Sequence, residues 1–154
     1  LDIYKHPALQ GVEFIQCMFP QETPDVPQVD CVWCSHILEH QLNVNLFLTK
    51  ALSLLKEGGY IAITVPPAKK EIVGGHVSIW NAGLVLYNLI LAGTSCREAH
   101  IKTYGYNISV IVKKKKVSLP NLKYDRGDID TLKDFFPPDM AFQGFNGDIT
   151  EYNW

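Results

Sequence analysis

Between residues 29 and 65 the apolar positions change period twice. Residues 29–34 (VDCVWC) are a nearly continuous apolar run, the pattern of a strand covered on both faces. Over residues 42–56, Val44, Phe47, Leu48, Ala51, Leu52 and Leu55 share one stripe at helical spacing. Gly58-Gly59 predicts the stop of that helix, because glycine adopts the left-handed cap conformation without a side-chain clash. Residues 60–65 (YIAITV) form a second buried run, ended by Pro66-Pro67. Strand, helix and strand in this order predict a βαβ unit with parallel strands and a right-handed crossover.

Upstream, residues 12–19 (VEFIQCMF) read as a strand closed by Pro20, and residues 21–28, with Pro24 and Pro27, as a loop. Downstream, residues 69–79 form a polar, glycine-containing loop. Asn81 is placed to cap a helix running to about Ala92 and stopped by Gly93. Residues 99–104 and 107–112 alternate around Gly105 as an antiparallel hairpin. The expected fold class is α/β, with parallel strands first and an antiparallel hairpin last. It occupies residues 1–118, and residues 119–154 are an irregular extension packed on it.

Composition narrows the function classes. The 154 residues suit one domain with one sizeable core. A net charge of −2 and a pI near 6.2 argue against a nucleic-acid partner. The basic run at residues 113–116 reads as a solvated strand end. Residues 84–92, the longest apolar stretch, are too short to span a bilayer, so no membrane partner is expected. Four cysteines without disulfide-framework spacing imply a reducing compartment, the cytoplasm. Cys31 and Cys34 read as small buried hydrophobes rather than a redox or zinc pair. The chain starts at Leu1 rather than methionine, which implies a fragment or a processed form.

The candidate chemistry centres on residues 34–40, CSHILEH. His36, Glu39 and His40 match H-x-x-E-H, the spacing of a zinc-hydrolase motif. That reading needs both histidines on one helical face, Glu39 as general base and a third ligand, His76 or Glu71. Yet the pattern begins just after a buried strand, in a strand-to-helix turn. It therefore reads as a loop and first helical turn with no metal, Glu39 being favoured by the helix dipole. Ligands of open α/β sheets bind at such a carboxyl end.

The segments VDCVWCSHILEH, FLTKALSLLKEGGYIAITVPP and GGHVSIWNAGLVLYNLILAG together resemble the C-terminal half of class I S-adenosylmethionine-dependent methyltransferases, over roughly residues 12–112. The resemblance implies a Rossmann-like three-layer fold in which these segments supply the fourth and fifth strands and the helix after each, and the hairpin the sixth and seventh strands. It implies S-adenosylmethionine as cofactor, with Cys34, Ser35 and His36 on its methionine side, Cys17 and Met18 near the adenine, and Asp2 on the ribose hydroxyls. His76 would face a small-molecule or sugar-like acceptor, and His36 or His76 would be the base for a hydroxyl.

The chain departs from that family in lacking a glycine-rich motif after a first strand; no G-x-G follows an apolar run. The family's strand order, 3-2-1-4-5-7-6, sets that first strand beside the fourth. The 12–19 strand is therefore expected to pair directly with the 29–34 strand, accompanied by self-association as a homo-oligomer. The departure implies weak cofactor binding and little turnover by the chain as it stands. It leaves two alternatives: a non-catalytic interaction domain using the aromatic tail (Phe135, Phe136, Phe142, Phe145, Trp154), and the zinc hydrolase.

Overall fold

A computed structural model describes residues 11–154. Asp2, and with it the ribose-binding assignment, lies outside the described residues. The chain is α/β, with a mixed five-stranded sheet in the order β1-β2-β4-β3-β5.

The βαβ unit forms as its periodicity predicts. β1 (Val29–Ser35) pairs in parallel with β2 (Leu55–Val65), and α1 (Val44–Ser53) connects them. Asn43 caps α1, its Oδ1 accepting from Leu46 N at 3.0 Å. Phe47, Leu48, Ala51 and Leu52 are the buried stripe.

The end of α1 differs from expectation. The helix stops at Ser53, and Leu55, assigned above to the helical stripe, is instead the first residue of β2, opposite Val29 and fully buried. Strand pairing has taken over the last helical turn. Gly58-Gly59 is then a bulge inside β2 rather than a helix cap, since the register jumps between Val29 and Cys31. Gly58 has φ +76, and a Cβ on Gly59 would sit 3.0 Å from Asp30 O.

The second half follows the sequence reading closely. Asn81 caps α2 (Ala82–Leu91), accepting from Leu84 N at 2.8 Å, and Gly93 turns away with φ +100. β3 (His100–Tyr104) and β4 (Asn107–Lys113) are antiparallel, and β4 inserts antiparallel to β2. α1 packs on β2 and on α2, and α2 packs on β4, so both helices cover one sheet face. Ile61, Ile63, Val65, Val110 and Val112 point into that core.

Among the described residues there is no second helical layer, so the three-layer expectation is not met. The opposite face carries Trp33, 76% exposed, with Tyr60 and Tyr104 also exposed. Cys31, on that same side, is exposed as well, contrary to its reading as a buried hydrophobe.

Residues 12–19 form no strand and do not pair with β1, which overturns the expected substitute pairing. The segment is held by side chains instead: Phe19 meets Phe47 edge-to-face at 5.2 Å, and Pro20 is buried. β1 therefore keeps a free edge among the described residues.

The tail is less irregular than expected. It contains a short helix, α3 (Asp128–Thr131), and β5 (Glu151–Tyr152), which pairs with β3. Leu132, Phe136 and Ile149 join the common core.

Candidate functional site

Two cavities lie near the carboxyl ends of the parallel strands. The larger, about 590 Å³, wraps the free edge of β1 and is walled on one side by α1. Cys17, Met18, Cys34 and Ser35 all line it, together with Trp33 and Phe47. Alternation along β1 sends Cys34 to the helix side and Ser35 to the open side, so a groove around a strand edge reaches both. Burial pushes the Cys34 thiol up to about 12, so it is a neutral thiol and a packing surface rather than a nucleophile.

The smaller cavity, about 310 Å³, lies beyond the end of β2. Pro67, Lys69, His76, Trp80 and Tyr106 help to line it. Trp80 Nε1 is buried without a hydrogen-bond partner among the described residues. Lys69 Nζ sits 4.5 Å from the Tyr106 ring centroid.

His36 lies between the two cavities in the chain's path. It follows Ser35 directly, and its ring stacks on Tyr106 with centroids 6.5 Å apart. Its φ is +51, a left-handed conformation that non-glycine residues adopt rarely, and it ends β1 abruptly. His36 Nδ1 lies 3.3 Å from Glu39 Oε1, and Nε2 lies 2.9 Å from Asn107 Oδ1. A carboxylate only accepts, so Nδ1 carries the proton on that side. In the neutral ring Nε2 is then the unprotonated nitrogen, hydrogen-bonded to the Asn107 amide turned to present its NH₂.

Glu39 was read as an early helical residue favoured by the dipole. It sits instead in a single 3₁₀ turn, Leu38–His40, and is only 1% exposed. Val77 N donates to Glu39 O at 2.8 Å, and His40 Nδ1 lies 2.8 Å from Gly75 O. These bonds strap the 69–79 loop over the turn. They bring His76 against His40, ring centroids 5.0 Å apart and nearly perpendicular. The zinc-motif pair, His36 and His40, diverges: His36 turns to Asn107 and His40 to the loop.

Neither a family model nor a curated protein matches this sequence.

Proposed function

We propose that the chain is a methyltransferase-like protein of the S-adenosylmethionine-dependent class I type, acting on a small-molecule or sugar-like acceptor. The observation that carries the reading is the larger cavity: Cys17, Met18, Cys34 and Ser35, each named from the resemblance, line one groove at the carboxyl end of a parallel strand. Its volume falls within the range of ligand sites. The sheet order supports the same reading, because β1-β2-β4-β3 is the 4-5-7-6 order that the resemblance implies.

S-adenosylmethionine would supply the methyl group. Trp33 and Met18 would offer apolar surface to its adenosine, and Ser35 a hydroxyl. His36, held by Glu39, would take the acceptor's proton on Nε2, and the cavity holding His76 and Tyr106 would seat the acceptor. Free, buried thiols at Cys34 and Cys96 suit the cytoplasm. The edge of β1, unpaired among the described residues, suits a homo-oligomer in which a second copy covers it.

Calorimetric titration with S-adenosylhomocysteine tests the reading. Weak but measurable binding is expected, reduced at least tenfold by Met18→Trp, which fills the groove from a side chain already 62% exposed. Absence of heat and of thermal shift refutes it. The exposed Trp33, Tyr60 and Tyr104 would then favour a non-catalytic interaction domain.

A further inference from the structure

Glu39 is an expensive residue where it stands. Its carboxylate is almost wholly buried, and Oε2 has no hydrogen-bond partner among the described residues. A buried carboxylate oxygen left unpaired costs stability unless something cationic meets it. Oε1 has its neighbour in His36, which leaves Oε2 open.

His40 and His76 also lie against this carboxylate, His40 Nε2 being 3.9 Å from the same Oε1 that His36 meets. Ligand atoms of Glu39, His40 and His76 all lie within 4.8 Å of one another. The His40 tautomer is determined by its partner. Gly75 O can only accept, so Nδ1 is the donor and Nε2 keeps its lone pair. Nε2 is the nitrogen on the Glu39 side, 3.9 Å from Oε1. A ring nitrogen donating to a backbone carbonyl while the other faces a carboxylate is the outer-shell arrangement of metal-ligating histidines.

We infer that Glu39, His40 and His76 form a binding site for a divalent transition metal of the zinc class. Two imidazoles and one carboxylate suit zinc, whereas magnesium and calcium take oxygen ligands. Bonds of about 2.0–2.2 Å require the three atoms to close by roughly 1 Å. Glu39 is fixed by burial, and His40 and His76 supply that movement from exposed and half-exposed positions. Three protein ligands leave a fourth position for water or another ligand, and His76 already lines the smaller cavity. The ligand set is not the one that H-x-x-E-H suggests: His36 drops out, and Glu39 takes its place as a ligand instead of serving as a base. The inference stands independently of methyl transfer.

The test is titration of the untagged, chelator-treated chain with zinc chloride alone, followed by elemental analysis after gel filtration. One equivalent is expected to remain bound, and Co²⁺ should give visible ligand-field bands on the same protein. His40→Ala and His76→Ala should each weaken zinc binding at least about tenfold, the scale on which even outer-shell partners act. His36→Ala should leave the stoichiometry at one. Circular dichroism of the metal-free variants confirms that they fold. Less than half an equivalent in the wild type overturns the inference, as does equal weakening by all three variants. Loss with His36→Ala but not with His76→Ala overturns it too, and returns the site to the motif's own ligand set.

Discussion

Replacing Gly147 by alanine should unseat the tail from α2, and the structure gives the size of the effect. Gly147 has φ +80, and a Cβ there would fall inside the Asn81 side chain. Asn81 caps α2 through Oδ1 and donates from Nδ2 to Asn146 O at 2.8 Å, while Gly83 N donates to Gly147 O at 2.9 Å. The substitution therefore adds about 1 kcal/mol for a left-handed alanine. It removes about 1 kcal/mol of capping and about 1 kcal/mol for each tail hydrogen bond broken. The sum is about 3–4 kcal/mol. Gly144→Ala is the control: its φ is +94, but a Cβ there meets nothing within 4 Å, so only the backbone cost of about 1 kcal/mol applies. The entropy lost by the unfolded chain is common to both and cancels in their difference. Urea denaturation of both variants measures that difference. Hydrogen exchange at Thr103, whose amide donates to Thr150 O at 2.9 Å, reports whether the tail has lifted. Equal destabilisation by the two variants, or an unchanged Thr103 amide, would refute the reasoning.

Other consequences are simpler to check. Ellman's reagent should titrate the exposed Cys31 and half-exposed Cys17 rapidly, and Cys34 and Cys96 only on unfolding, since burial holds both thiols protonated. Raising the pH should destabilise the fold through these thiols. Below pH 9 both states keep the proton, whereas above it the unfolded chain ionises and folded Cys34 does not until about pH 12. Stability should fall by up to about 1.4 kcal/mol per pH unit per thiol, and Cys34→Ala should flatten the slope of denaturation midpoint against pH. Leu48→Ala, at a fully buried position on α1, should cost about 3–5 kcal/mol by urea denaturation. Trp33→Ser should change stability by less than about 0.5 kcal/mol while weakening S-adenosylhomocysteine binding in the same calorimetric titration.

What was legible in the sequence was local. Asn81 and Gly93 bracket α2 because capping is a short-range device, and the hairpin around Gly105 follows from alternation on either side of one turn. Residues 12–19 have strand composition but no strand. The edge of β1 stands open to them among the described residues, yet Phe19 docks on Phe47 by its side chain instead. Gly58-Gly59 misled in the same way: a glycine pair serves a helix cap and a strand bulge equally, and the choice was made by Leu55 opposite Val29. At the site, the spacing of His36, Glu39 and His40 was visible, but which of them converge was not. That depends on Val77 and Gly75 bonding back to the 38–40 turn, a contact with no periodic signature.

The placement of β4 between β2 and β3 bears on how the molecule is made. β3 leaves the ribosome before β4, yet it cannot touch β2, because the position beside β2 belongs to a strand not yet synthesised. At ordinary translation rates β4 follows on the order of a second later. For that interval the βαβ unit stands with the inner edge of β2 bare and β3 hanging beyond it. The two strands must close on each other through the Gly105 turn and then enter as a pair. β5, arriving last, seals the outer edge of β3. The growing chain thus exposes one edge of β2, its longest described strand, until the hairpin is complete, and a nascent-chain binding factor would find its widest target there.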